Sequence, residues 1–347
     1  MTINEIFMHR CLDLARLGAG VTAPNPMVGS VIVHEGKIIG EGFHQRFGEA
    51  HAEVNAINSV KDEDLLQKST LYVNLEPCAH YGKTPPCAKL IIEKKIPRVI
   101  IGTVDPFAKV SGRGIQMLRE AGIDVTVGVL SEECNQLNRR FFTFYQKKRP
   151  YIILKWAQTL DGYIDILREP ESYGHPVWIT NYLSKVSVHR LRTEETAIMI
   201  GTNTAEKDNP SLTAREWTGD SPMRIVLDRD LRLRNTLKIF DDSVHTLVFT
   251  KRYLTGKKNL EYVHIDYEGK VIQQILDELY QRNVQSLIVE GGRKLLDSFI
   301  LQSHWDEAHV YIGNKFFGNG VKAPSLPGKP KEEDAFDESR LYVFYNR

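Results

Sequence analysis

Glu76-Pro77-Cys78-Ala79-His80-Tyr81-Gly82-Lys83-Thr84-Pro85-Pro86-Cys87 is the stretch from which the first half of this chain is read. It works together with His51-Ala52-Glu53 upstream. Zinc that performs chemistry takes three protein ligands from nitrogen and thiolate donors and keeps a fourth position open. His51, Cys78 and Cys87 supply such a set. Glu53 stands two residues from the ligand histidine, within reach of a water on the metal but not bound to the metal itself. The opposing reading is two buried thiols and an ordinary histidine. A structural zinc closed by a fourth ligand, with His80 as its nominee, is the other possibility, but it leaves Glu53 without a purpose.

The order His-x-Glu, then Pro-Cys, then a second Cys is the signature of zinc base deaminases. The usual ending is Pro-Cys-x-x-Cys, whereas eight residues separate Cys78 from Cys87. The extra length predicts a longer substrate loop between the two thiolates.

At 347 residues the chain fits about two domains. No run approaches the ~20 apolar residues of a membrane span. Met1-Thr2-Ile3-Asn4-Glu5 shows no basic region leading into an apolar one, so no signal peptide is read and cytoplasm is the expectation. A formal net charge of +1 gives no basic stripe for nucleic acid. Of four cysteines, Cys11 and Cys134 are left after the metal set, which is no disulfide framework.

Thr2 and Glu5 have the spacing of a capping box, and Phe7, Cys11, Leu14 and Gly18 follow at helical intervals. The prolines of Thr22-Ala23-Pro24-Asn25-Pro26 stop the helix. Val28–Val33 and Lys37–Phe43 flank His34-Glu35-Gly36 as a hairpin. Helices are predicted over Ala52–Val60, Cys87–Lys95, Gly114–Gly122 and Ser131–Tyr145, and strands over Leu71–Leu75, Arg98–Val104 and Asp124–Leu130. The metal ligands then fall at two helix starts and one strand end, and a thiolate at a helix start gains from the dipole. Strand–helix alternation means α/β layers. The break at Lys147-Lys148-Arg149-Pro150 marks the domain boundary.

The second half repeats the alternation. Strands are predicted at Tyr151–Lys155, Ala197–Gly201, Arg224–Leu227, Thr246–Thr250, Ser286–Val289, Ala308–Ile312 and Leu341–Tyr345. Helices are predicted near Leu183–Glu195, Val271–Arg282 and Arg293–Leu301, and a surface loop over Gly318–Asp334. Glu290-Gly291-Gly292-Arg293 follows a buried strand and opens a helix, either as an anion cradle or as a plain tight turn. The run from Asp208 to Arg215 is either a ligand-contacting loop or an ordinary one.

Pro24-Asn25-Pro26-Met27-Val28-Gly29, Gly42-Phe43-His44, His51-Ala52-Glu53, the Glu76 to Cys87 block, Val104-Asp105-Pro106 and Ser111-Gly112-Arg113-Gly114 stand in order in the first half. Lys155, Thr159-Leu160-Asp161-Gly162, Trp178-Ile179-Thr180, the Asp208 to Arg215 loop and Val289-Glu290-Gly291-Gly292 follow in the second. Together they resemble the bifunctional deaminase–reductases of riboflavin biosynthesis. That resemblance implies an α/β protein: a cytidine-deaminase-like three-layer domain over residues 1–146, then a dihydrofolate-reductase-like domain over residues 150–347. It implies hydrolysis of the 2-amino group of 2,5-diamino-6-ribosylamino-4(3H)-pyrimidinone 5′-phosphate, followed by NADPH-dependent reduction of the ribosyl group to ribityl.

Carried over by position, His51, Cys78 and Cys87 hold one zinc per chain, and Glu53 shuttles the proton. Asn25, His44, His80 and Lys83 match positions that hold the pyrimidine or its phosphate. Ala157, Trp178, Thr204, Asp208 and the segment Gly292, Arg293, Lys294, Leu295, Leu296, Asp297, Ser298 match NADPH positions. Arg192, Leu212, Arg215 and Glu290 match substrate positions, and Lys155 with Glu290 positions the sugar and relays a proton. The expected partners are the small phosphorylated pyrimidine and further copies of the chain in a homo-oligomer, with no nucleic acid and no membrane. The competing readings are a tRNA or other nucleic-acid base deaminase with an accessory C-terminal domain, and a scaffold with a closed zinc. The chain departs from the family pattern between Asp161-Gly162 and Trp178. The segment is longer there through Arg168-Glu169-Pro170-Glu171-Ser172-Tyr173-Gly174, Tyr163-Ile164-Asp165 replaces a basic residue and Thr-Ala, and Pro176 replaces a small hydroxyl residue.

Overall fold

Thr2 and Glu5 close the box that their spacing predicts. The Glu5 N–H donates to Thr2 Oγ1 at 3.3 Å and the Thr2 N–H donates to the Glu5 carboxylate at 2.7 Å. Helix α1 (Ile3–Arg16) follows and buries Phe7, Met8, Cys11, Leu12, Leu14 and Ala15 along one face. This computed structural model describes residues 1–79, 85–107 and 110–346. It divides into two units, Met1–Lys147 and Lys148–Arg347.

The first unit continues with β1 (Gly29–His34), β2 (Lys37–Phe43), α2 (Ala52–Asn58), β3 (Thr70–Leu75), α3 (Cys87–Glu93) and β4 (Arg98–Thr103). It ends with α4 (Arg113–Glu120), β5 (Asp124–Val127), α5 (Ser131–Leu137) and α6 (Arg139–Lys147). The sheet order is β2-β1-β3-β4-β5, antiparallel at the β1 hairpin and parallel from β3 to β5. Alternating side chains assign the faces. Leu71, Val73, Val99 and Ile101 pack with Ala56, Ile91 and Leu118, while Tyr72 and Ile100 pack with Met8, Leu12 and Cys134. Helices therefore cover both faces, giving the three layers, and β3 in the middle is buried at every position after Thr70. Each such Leu, Ile or Val contributes ~1.5–3 kcal/mol.

The second unit contains β6 (Tyr151–Thr159), β7 (Tyr163–Asp165), α7 (Tyr182–Glu194), β8 (Ala197–Gly201), α8 (Thr202–Asp208), β9 (Met223–Leu227), β10 (Thr246–Thr250) and β11 (Leu260–His264). It closes with α9 (Val271–Gln281), β12 (Ser286–Glu290), α10 (Arg293–Leu301), β13 (Glu307–Gly313), β14 (Val321–Lys322), β15 (Glu332–Phe336) and β16 (Ser339–Tyr345). The large sheet runs β11-β10-β9-β8-β12-β6-β13-β16-β15. It is parallel from β11 to β13, and β16 and β15 add an antiparallel edge. On β6, Ile152 and Leu154 enter one core with α9 and α10, and Tyr151 and Ile153 enter the other. This arrangement fits the dihydrofolate-reductase-like layering that the resemblance implies. Among the described residues, no helix is long and apolar enough to cross a membrane.

Three expectations change. The helix predicted over Ser131–Tyr145 breaks at Asn138, whose buried side chain turns away to accept the Met27 N–H (2.8 Å) and donate to the Met27 carbonyl (2.9 Å). The loop predicted over Gly318–Asp334 contains β14 and the start of β15. Helix α8 and strand β11 were not foreseen: α8 is mostly polar, and Leu260–His264 lacks a buried face except at Val263.

Candidate functional site

Strand β3 delivers Glu76-Pro77-Cys78 at the C-terminal end of the parallel part of the sheet, where open α/β sheets place ligands. His51 sits just before α2 with extended backbone, Glu53 lies in the first turn of α2, and Cys87 is the first residue of α3. His51 Nδ1 is 3.6 Å from Cys78 Sγ and 3.3 Å from Cys87 Sγ. The three donor atoms lie within 4.8 Å of one another, and among the described residues no fourth His, Cys, Asp or Glu joins them. The Cys87 backbone N–H donates to Cys78 Sγ at 3.2 Å. A hydrogen bond from the Cys87 thiol, aided by His51, draws Cys78 down to about 4 against its burial. Cys87, as donor in a buried pair, is pushed up. Two cysteine sulfurs and one histidine ring nitrogen converge here, and this donor set fits zinc.

Burial pushes the Glu53 carboxyl up to about 7, with His51 pulling the other way. The site wall is set by tautomers. His44 Nδ1 lies 3.0 Å from the Ala50 carbonyl and must donate to it. Its Nε2 then accepts from Asn25 Nδ2 at 3.0 Å. The His44 ring meets His51 edge-on at 5.5 Å, and burial lowers its pKa. His80 and Lys83 lie outside the described residues.

Glu76 is a site residue that its sequence position did not assign. Its buried carboxylate accepts backbone N–H groups from Asp105, Gly112, Gly114 and Ile115 at 2.9–3.3 Å, pinning the Cys78 loop to the start of α4. Gly114 is obligatory there, since a Cβ would stand 2.0 Å from the Pro77 carbonyl.

In the second unit a cavity of about 980 Å³ opens over the ends of β6, β8 and β12. Lys155 and Glu290 are register partners on β6 and β12, with Lys155 Nζ 3.8 Å from Glu290 Oε1. Arg192 on α7 donates from Nη2 to Glu290 Oε2 (2.9 Å) and from Nη1 to the Thr213 carbonyl (3.1 Å). Burial would raise Glu290, but Arg192 and Lys155 prevail and hold it down; burial lowers Lys155 despite Glu290. Arg192 Nε and Glu290 Oε1 are buried with no hydrogen-bond partner, so the cluster still has polar capacity to offer a ligand.

Ala157, Trp178, Thr204, Asp208, Leu212 and Arg215 line this cavity, as do Gly292, Arg293, Lys294, Leu295, Leu296 and Ser298. Asp297 is not in the lining and pairs instead with Arg293 one turn away at 3.0 Å. The Glu-Gly-Gly turn is a tight strand-to-helix turn packed against Thr204. The Gly292 N–H is taken by Thr204 Oγ1 at 2.7 Å, and Gly291, at φ +113°, would put a Cβ 2.9 Å from the Thr204 side chain. The run from Asp208 to Arg215 is a lining loop, anchored by Leu212 in the core beneath it. His189, unassigned by sequence, accepts the Arg215 and Glu216 N–H groups on Nδ1 at 2.8 and 3.3 Å. Burial and the neighbouring Arg192 and Arg215 lower it to about 4, which keeps that acceptor free of a proton.

Two family models match: the cytidine and deoxycytidylate deaminase zinc-binding region over residues 1–103, and the RibD C-terminal domain over residues 150–343. The chain is similar to the riboflavin biosynthesis protein RibD of Aquifex aeolicus, 40% identical over 336 residues, covering 95% of this chain and 92% of that protein. It is similar to the same protein of Escherichia coli, 35% identical over 351 residues, covering 96% and 94%. A solved Thermotoga maritima diaminohydroxyphosphoribosylaminopyrimidine deaminase/5-amino-6-(5-phosphoribosylamino)uracil reductase superposes with a TM-score of 0.89 at 39% identity, covering 99% of this chain and 98% of that one.

Proposed function

The chain belongs to the RibD family of riboflavin-biosynthesis proteins, and on that premise we propose how its own residues carry out two reactions. The enzyme is a bifunctional deaminase and reductase that uses zinc and NADPH. Its substrates are 2,5-diamino-6-ribosylamino-4(3H)-pyrimidinone 5′-phosphate, which loses its 2-amino group by hydrolysis, and the resulting product, whose ribosyl group is reduced to ribityl.

In the first site His51, Cys78 and Cys87 hold zinc. Zinc lowers the pKa of a water it carries from ~15.7 toward ~7. Glu53 takes a proton from the attacking water and returns one to the departing nitrogen. Such shuttling is worth ~10²–10⁴-fold in rate. Asn25 spends its amide N–H on His44, which leaves Oδ1 to accept from the pyrimidine edge.

In the second site Trp178, Thr204, Asp208, Gly292 and Ser298 would hold NADPH, which when bound would supply the hydride for reduction of the ring-opened sugar at C1′. Lys155 and Glu290 hold the sugar oxygens and relay the balancing proton, Lys155 being eased toward deprotonation by burial. Arg192, with its unpartnered Nε, and Arg215 take the phosphate, for which guanidinium geometry is suited.

The observation that carries this reading is the convergence of three zinc donors beside a buried Glu53, which stands in the first turn of α2 two residues after His51. In purified Glu53→Ala, ammonia release from the diaminopyrimidine phosphate should fall at least ~10²-fold. The same protein should oxidise NADPH normally when given the deaminated product. Loss of both activities in a folded protein would overturn the division of labour.

A further inference from the structure

The segment between Asp161-Gly162 and Trp178 is where the chain leaves its family's pattern, and two of the departures meet in space. Asp165 ends β7 and Arg168 follows three residues later. The Arg168 guanidinium donates from Nε and Nη2 to Asp165 Oδ2 at 2.9 and 2.6 Å, from Nη2 also to Asp208 Oδ1, and from Nη1 to the Lys207 carbonyl at 3.1 Å. Its side chain is only 4% exposed. The Gly174 N–H donates to the same Lys207 carbonyl at 2.7 Å, and Lys207 Nζ stands 5.6 Å over the Tyr173 ring. The contacts to Lys207 and Asp208 join the longer segment to the last turn of α8, and Asp165, Arg168, Gly174, Lys207 and Asp208 all line the cavity.

A guanidinium this buried is retained only where several acceptors surround it, and removing it leaves two half-buried carboxylates without a counter-charge. Asp208 is the group exposed to that consequence, because burial already works against its ionised form. NADPH is a polyanion, so a loose, unpaired carboxylate in its cleft is doubly unfavourable.

We propose that Arg168 is a positioning residue of the cofactor site: anchored by Asp165, its guanidinium fixes Asp208 and counters its charge, and makes the longer segment a permanent wall of the NADPH cleft. This inference rests on the assignment of the cavity to NADPH. Residues 165 and 168 then form one paired device.

The test is NADPH affinity, read from nicotinamide fluorescence on the full chain, together with steady-state reduction and ammonia release. Arg168→Ala should raise the Kd and the KM for NADPH about tenfold, the loss expected for a charge-assisted hydrogen bond. The kcat at saturating NADPH and the rate of ammonia release should stay within about twofold of the parent. Arg168→Lys, which keeps the charge but cannot span two carboxylates and a carbonyl, should recover only part of the affinity. If Arg168→Ala does not fold, Arg168→Lys decides: a Kd raised about threefold or more supports the proposal, and parental affinity overturns it. Unchanged affinity in folded Arg168→Ala also overturns it. If the parent protein itself binds no NADPH, the assignment of the cavity falls and the inference falls with it.

Discussion

Glu76 illustrates how much of the zinc site depends on a side chain that never meets zinc. A buried carboxylate is costly unless donors surround it, and Glu76 collects four backbone N–H groups two residues before Cys78. Three of the four belong to Gly112, Gly114 and Ile115 at the start of α4, so the carboxylate also serves as that helix's N-terminal partner. In Glu76→Gln one oxygen is replaced by an NH2 that confronts donors instead of accepting from them. The Cys78 loop should loosen, and zinc should pass to a chelator about tenfold faster than from the parent protein, the equivalent of one lost charge-assisted bond. Metal transfer followed with a coloured chelator on folded protein measures this, and an unchanged rate would show that Glu76 supports only α4.

The break between α5 and α6 makes the same point for an element. Cys134, Phe141 and Phe144 are buried, and their spacing reads as one continuous helix. Asn138 interrupts it because its amide clamps the backbone of Met27, and Asn74 holds the same carbonyl with Nδ2 at 3.1 Å. That clamp fixes the strand entry two residues beyond Asn25. Asn138→Ala would orphan the Met27 N–H, at a cost of ~1–3 kcal/mol. Thermal unfolding of the first unit should drop by several degrees, and the KM for deamination should rise with it. Unchanged melting would mean water replaces the amide. What was legible in the sequence follows the same division. Zinc donors and Glu53 announce themselves because their chemistry resides in residue type, and buried strands such as Leu71–Leu75 because both faces are apolar. Asn138, Glu76, His189 and Arg168 act through partners distant in the chain, which no local pattern records. Strand β15, Glu-Glu-Asp-Ala-Phe, is an exposed edge strand whose charges conceal the alternation that would reveal it.

Among the described residues, each apolar cluster is assembled from one unit. The clusters around Leu71 and Met8 draw only on residues of Met1–Lys147, and those around Leu154, Ile153 and Tyr311 only on Lys148–Arg347. A ligand stabilises the fold that holds it by mass action and leaves an uncoupled fold unchanged. Zinc donors lie wholly within the first unit and the cavity lining wholly within the second. Calorimetry of the full chain should therefore show two transitions. Chelating the metal should lower one of them and leave the other in place. NADPH at about a hundred times its Kd adds ~2.7 kcal/mol, which for a unit of this size is ~5–10 °C. That shift should appear only in the transition that the chelator spares. A single transition moved by both treatments would mean that the two halves unfold as one cooperative body, and that the separation of cores does not extend to their stability.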